Sequence, residues 1–238
     1  MVEIIPAIIP QSFEDLKDKM SQVSGIVTIV QMDVCDGVFV PSKCWPYSGD
    51  AGDFKKILNE DEGFPFWESL DFEADLMIAH PETDAENFIK AGAKRIIIHI
   101  ESGENVSSCV KELRKKYGYV GDSAVSVEIG IGINVHTPNL LLDEYLTPNE
   151  EGRTLADFVQ FMGIEKIGYQ GQSFDPEVIG KVSDLREKFP DAIISVDGGV
   201  NFDNAHDLVA AGVNRLISGS ALYESENIKG AIEEMSNA

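Results

Sequence analysis

Residues 191–220, DAIISVDGGVNFDNAHDLVAAGVNRLISGS, read as strand, helix, strand, with an apolar run over 191–199, a helical segment over 201–212 and a second apolar run over 213–220. Neither run alternates apolar with polar residues, so each strand is buried on both faces, as in a parallel sheet clothed by helices. Both runs end in small residues, Val-Asp-Gly-Gly and Ser-Gly-Ser, where the chain turns toward a helix.

The same unit recurs toward the N-terminus. Apolar runs at 2–9, 25–34, 71–78, 94–100 and 124–135, and in the later part of 154–164, predict six further strands. Helical spacing follows at 12–23, 81–93, 105–118, 138–146 and 175–189, and again at 227–236 after the last strand. Ser12 is placed to cap the first of these helices, Pro81 suits a first helical turn and Gly92 a helix stop. Eight strand–helix units in 238 residues predict a (β/α)8 TIM barrel, for which about 250 residues is typical. A doubly wound open sheet is the alternative, but no glycine-rich dinucleotide turn follows the first strand. The chain is expected to be a single barrel domain, 1–238, with no linker and a long loop insertion at about 42–70; residues 145–157 form another polar connection. Long loops are often lids or contact surfaces.

Charge narrows the function. With 41 acids against 19 bases the net charge is −22, which excludes nucleic acid or an anionic membrane as a natural partner. An apolar content of 43% supports a real core, and no apolar run approaches the ~20 residues that span a bilayer. Glu3 stands where a signal peptide would carry bases. Cys35, Cys44 and Cys109 are odd in number and lack motif spacing, so a reducing, cytoplasmic location is expected.

Barrel chemistry gathers at the C-terminal ends of the strands. The polar residues there are Gln31, Asp33 and Asp36 on strand two, Asp75 on strand three, His99 and Glu101 on strand four, Asn134 on strand five and Asp197 on strand seven. Gln31 and Asp33 share a face and can both enter the barrel mouth, whereas Asp36-Gly37 reads as a turn. Gly198 and Gly199 after strand seven, Gly219 and Ser220 after strand eight, and Gly168 and Gly171 in GYQGQ after strand six suit a phosphate grip. His80 and His136 read as exposed turn residues, His99 as hydrogen-bonded inside the barrel, Cys35 as packing, and Trp45 and Trp67 as packing or interface residues.

The runs MDVCDGVFVPS, ADLMIAHPE, GINVHTP, GYQGQSFDPEVI, VDGGVNFDNA and LISGSALY, spread over residues 5–223, resemble the ribulose-phosphate 3-epimerases in order and content. That resemblance implies interconversion of D-ribulose 5-phosphate and D-xylulose 5-phosphate by two aspartates, matched here by Asp33 and Asp197, with a divalent metal beside the developing oxyanion. It also implies a small-molecule sugar phosphate as partner and a homo-oligomer. The phosphate-binding positions match Gly168, Gly171, Gly198, Gly199, Gly219 and Ser220.

The departures fall on the metal site. The family's two ligand histidines are Gln31 and Asp75 here, a substrate-facing serine is Pro10, and a methionine is Cys35. What remains for a metal is Gln31, Asp33, Asp75 and Asp197. Oxygen donors favour magnesium or manganese where imidazoles favour zinc. Three readings stay open: a site retuned to a hard cation, a cation-free site in which Asp75 hydrogen-bonds as an acid, and a non-catalytic phosphosugar-binding protein. Aldol-type synthases and decarboxylases on this barrel carry Asp-x-Lys-x-x-Asp on strand three. The matching DLMIAH has no lysine and ranks that reading lower.

Overall fold

The computed structural model describes residues 2–122 and 126–238. Eight parallel strands close into a barrel in sequence order: β1 (Glu3–Ile8), β2 (Ile29–Cys35), β3 (Asp71–Met77), β4 (Arg95–His99), β5 (Glu128–Ile133), β6 (Phe158–Met162), β7 (Ile193–Asp197) and β8 (Arg215–Ser218). The helices are α1 (Phe13–Val23), α2 (Gly52–Leu58), α3 (Pro81–Lys90), α4 (Val106–Tyr117), α5 (Asp143–Leu146), α6 (Glu177–Lys188), α7 (Phe202–Ala211), α8 (Ser220–Tyr223) and α9 (Ile228–Ser236). Ser12 caps α1 by accepting from the Asp15 N–H, and Pro81 opens α3. None of the described helices is long and apolar enough to cross a membrane.

Strand parity divides the interior in two. Ile4 and Ile8 of β1 join the large core between the sheet and the helices, which runs from Leu16 of α1 to Met235 of α9. Ile5 and Ala7, one residue out of phase, pack with Ile29 and Ile217 in a separate cluster inside the barrel. Residues two apart on a strand share a face, so the continuous apolar runs supply both layers at once.

Three expectations are modified. The strand read over 124–135 is Glu128–Ile133, and residues 124 and 125 lie outside the described part of the chain. The helix read over 138–146 is a 3₁₀ turn at Asn139–Leu142 followed by the single turn α5. The long connection at 42–70 is more than a loop, because it contains α2. Trp45, 1% exposed, stacks on Phe13 of α1 at 5.2 Å and meets Phe54 of α2 at 5.5 Å, and Phe54 reaches Phe88 of α3 at 5.1 Å. These aromatics make the connection part of the helical ring. Trp67 stays 66% exposed.

The N-terminal end of the barrel is closed by charge. Glu73, Arg95 and Glu128 stand side by side in the register of β3, β4 and β5, and Glu3 faces Arg215 across β1 and β8. Arg95 reaches Glu73 at 3.1 Å and Glu128 at 3.3 Å; Arg215 reaches Glu3 and Glu128, both at 3.1 Å, and lies over the Phe158 ring. Burial pushes the Glu73 carboxyl up to about 7, against the pull of Arg95. Removing one member of such a network strands the others in low dielectric. Arg95→Ala is therefore expected to cost roughly 3 kcal/mol in denaturant unfolding; a loss within experimental error would show that the floor contributes nothing.

Candidate active site

At the opposite end of the barrel no arginine or lysine among the described residues pairs with the three aspartates, and Lys181, on that side, is bonded to the Asn134 carbonyl. Asp33 of β2 and Asp75 of β3 are direct neighbours in register, and Asp197 ends β7. Gln31, one step below Asp33 on the same face, donates from Nε2 to Asp33 Oδ1 at 2.7 Å and to Asp197 Oδ2 at 2.8 Å. The His99 imidazole of β4 bonds through Nε2 to Asp75 Oδ1 at 2.9 Å. It has room because its neighbour in register is Gly132, where a Cβ would come within 3.1 Å of the ring. Gln31, Asp75 and His99 are fully buried, and Asp33 and Asp197 are 5% and 7% exposed.

Burial raises the proton affinity of Asp33 well above the carboxylate norm, and the charges of Asp197 and Asp75 add to it; the Gln31 hydrogen bond works the other way. Asp197 is pushed up to about 7 by burial and the Asp75 charge, with Gln31 and the Gly198 N–H opposing. For His99, burial disfavours the imidazolium, but Asp75 and Glu101 outweigh it and the net shift is upward.

The donors suit a hard divalent cation. Oxygens of Asp33, Asp75 and Asp197 lie within 4.8 Å of one another, the grouping of this kind found among the described residues. Asp75 Oδ2 is buried with no hydrogen-bond partner, as a ligand oxygen awaiting an ion would be. An all-carboxylate set matches magnesium or manganese better than zinc. Gln31 presents nitrogen, not oxygen, to this cluster.

Asp33 and Asp197 open into a cavity of about 260 Å³ whose wall includes Gly168, Gly171, Gly198, Gly199, Gly219 and Ser220. The loops after β6, β7 and β8 thus meet the two acids in one space. Gly199 has φ +69°, and a Cβ there would sit 2.8 Å from the Phe174 backbone, so only glycine fits. Among the described residues no basic side chain lines the cavity, so its anion donors are backbone N–H groups, the hydroxyls of Ser220 and Tyr169 and the side-chain amides of Gln170, Gln172 and Asn201.

Other residues singled out in the sequence fall elsewhere. Asp36 does more than turn the chain: its carboxylate accepts from Val38 N, Phe39 N and Ala79 N, tying the β2 loop to the end of β3. Glu101 accepts from the Asn134 N–H at 2.9 Å. His80 and His136 are largely exposed, beside Glu82 and Glu177. Pro10 offers its carbonyl to the Trp45 N–H. The Cys35 thiol is hydrogen-bonded to Cys44 and buried, and both effects push its ionisation up, which makes it a packing residue. Sequence reading passed over Gln170, Asn201 and Glu224, which also line the cavity. Gln170 and Asn201 stood inside quoted motifs; nothing marked Glu224.

A closed (β/α)8 barrel with an acid pair and a glycine-walled cavity at its C-terminal mouth belongs to the class of barrels that work on small phosphorylated ligands at that end. The comparisons specify which. The model of the Ribulose-phosphate 3 epimerase family matches residues 3–223, and the chain belongs to that family. Ribulose-phosphate 3-epimerase of Synechocystis sp. is 31% identical over all of this chain and 94% of its own length, and that of Bacillus subtilis is 26% identical over 99% and 98%. Among solved structures, 3-keto-L-gulonate-6-phosphate decarboxylase from Vibrio cholerae superposes with a TM-score of 0.67 at 13% identity, covering 100% of this chain and 95% of that one. 3-Hexulose-6-phosphate synthase from Salmonella typhimurium gives 0.63 at 15% identity over 99% and 97%. At these identities the two structures share the barrel alone.

The Asp197 proton is held more tightly in the folded chain (about 7) than at the ordinary value of 3.8. Its stabilising contribution is therefore full below about pH 4 and is lost as pH rises through about 7. Asp197→Asn lacks that loss, so in cation-free buffer its melting temperature should gain on the wild type between about pH 5 and 8; a constant difference in thermal melts would refute this. Gly199→Ala should weaken calorimetric binding of a sugar phosphate by at least roughly tenfold, ~1.4 kcal/mol, and unchanged affinity would remove Gly199 from the cradle.

Proposed function

We propose that the protein epimerises a ketose phosphate at C3, interconverting D-ribulose 5-phosphate and D-xylulose 5-phosphate, with Asp33 and Asp197 as the acid–base pair. The observation that carries this reading is that two buried carboxylates of raised proton affinity share one cavity with the glycine cradle. Family membership supports the same reaction. The cradle holds the phosphate and sets C3 between the acids, which come from β2 and β7 and so approach the sugar from different strands. One aspartate, ionised, takes the C3 proton; the other, protonated, delivers a proton to the opposite face. An acid near 7 is suited to both roles at neutral pH. A divalent cation held by Asp33, Asp75 and Asp197 would supply positive charge beside the oxyanion next to C3. We place the reaction in the cytosol, on the three unpaired cysteines.

Solvent-exchange kinetics test this. Purified protein with ribulose 5-phosphate in deuterated buffer, supplied in turn with Mg²⁺, Mn²⁺ or Zn²⁺, should incorporate deuterium at C3 and form xylulose 5-phosphate. Asp33→Asn and Asp197→Asn should each lower kcat by about 10²–10⁴-fold. If no cation supports exchange while the sugar phosphate still raises the melting temperature, the protein binds phosphosugars without turning them over. If the ligand does not stabilise it either, the cradle assignment is wrong as well.

A further inference from the structure

We propose that Gln31 is a positioning residue whose side-chain amide yokes Asp33 to Asp197 and fixes the geometry of the acid–base pair, an assignment that rests on the epimerase reading above. The two acids come from strands on different parts of the barrel wall, and nothing in the local chain sets their relation. Gln31 does, through one nitrogen: its two N–H groups reach Asp33 Oδ1 at 2.7 Å and Asp197 Oδ2 at 2.8 Å. The hydrogens of a planar amide nitrogen diverge at a fixed angle, so both carboxylates are held in distance and direction. The cavity is lined by Asp33 and Asp197 but not by Gln31, which lies beneath them and acts through them.

Three features separate this role from simple core filling. Gln31 is fully buried, and its Oε1 has no hydrogen-bond partner among the described residues. A buried acceptor left unsatisfied is unfavourable, so what the amide contributes at this position is its two donors to Asp33 and Asp197 rather than packing. The amide orientation is also forced, because turning it over would set Oε1 against two carboxylate oxygens, acceptor against acceptor. Finally, the yoke is neutral. A lysine here would hold both acids ionised, whereas an amide N–H is accepted by a carboxylate and, more weakly, by the carbonyl oxygen of a protonated carboxyl. The clamp therefore survives when the two aspartates exchange roles, which a reaction run in both directions requires.

Gln31→Met keeps length and volume and removes both donors; Gln31→Glu keeps shape and replaces the nitrogen by oxygen. With ribulose 5-phosphate in deuterated buffer, both should lower kcat for C3 exchange by about 10²-fold, the scale of a 1 Å misplacement. KM should stay within about threefold because the cradle is untouched. Gln31→Met leaves Asp33 Oδ1 and Asp197 Oδ2 without these donors and should melt somewhat lower than wild type while remaining folded. Retention of kcat within about twofold, or a loss confined to KM, overturns the proposal. A second measurement needs no activity and serves if a variant misfolds or the wild type shows no exchange. In protein carrying ¹⁵N-labelled glutamine at its six glutamine positions, the Gln31 side-chain amide should exchange slowly with solvent and should shift in both Asp33→Asn and Asp197→Asn. A fast-exchanging Gln31 amide, or one indifferent to either substitution, overturns the yoke whatever the enzyme does. Absent exchange in a wild type whose Gln31 amide is protected and shifts as described overturns only the epimerase reading.

Discussion

The parallel pairing of β8 with β1, from Glu3 against Arg215 to Pro6 against Ser218, closes the sheet, and the rest of the molecule follows from that closure. A closed sheet has no edge and fixes which alternate residues on each strand look inward. Once that parity is set, Ile5 and Ala7 must fill the lumen while Ile4 and Ile8 meet helices. It also sends Gln31 and Asp33, Glu73 and Asp75, Arg95 and His99 inward as pairs. One member of each pair lies nearer the floor and the other nearer the mouth.

The two ends of the lumen treat buried charge in opposite ways. At the floor, Glu3, Glu73 and Glu128 are answered by Arg95 and Arg215, and the network is mutually neutralising. At the mouth, Asp33, Asp75 and Asp197 receive an amide, an imidazole and the Gly198 N–H, with no arginine or lysine paired to them among the described residues. A guanidinium would hold these acids ionised and unreactive. Without one, burial raises the proton affinity of Asp33 and Asp197. The floor pairs its buried charges and the mouth leaves its acids with raised proton affinity, and the difference lies in where the arginines stand.

The barrel was legible in the sequence because continuous apolar runs and helical spacing are local patterns. The acids and glycines were legible because strand ends and βα turns are where such barrels keep their chemistry. What stayed hidden was lateral. Residues 42–70 read as a loop because α2 is short, and its place depends on Trp45 and Phe54 meeting Phe13 and Phe88 from distant segments. Asp36 read as a turn because its bond to Ala79 joins different strands. The stretch 138–146 read as one helix on its spacing, yet the chain forms a 3₁₀ turn and a single helical turn. No periodicity carries the bond from Gln31 to Asp197, 166 residues on.

Gln31 and Asp75 stand where the family resemblance expects metal-binding histidines, and the structure gives the two replacements different work. Asp75 adds a carboxylate to the cluster and takes its own partner from His99, so an imidazole remains in the site, fixing the orientation of the Asp75 carboxylate. Gln31 turns its nitrogen to the acids and holds them. Where the resemblance expects two imidazole nitrogens, the chain thus has one carboxylate and one hydrogen-bond donor, with Asp33 and Asp197 in place. Hydrogen bonds of the site's own thus hold Asp33 and Asp197 together, and its affinity for a cation would be electrostatic: three carboxylates share one buried space, with Asp75 Oδ2 lacking a hydrogen-bond partner among the described residues.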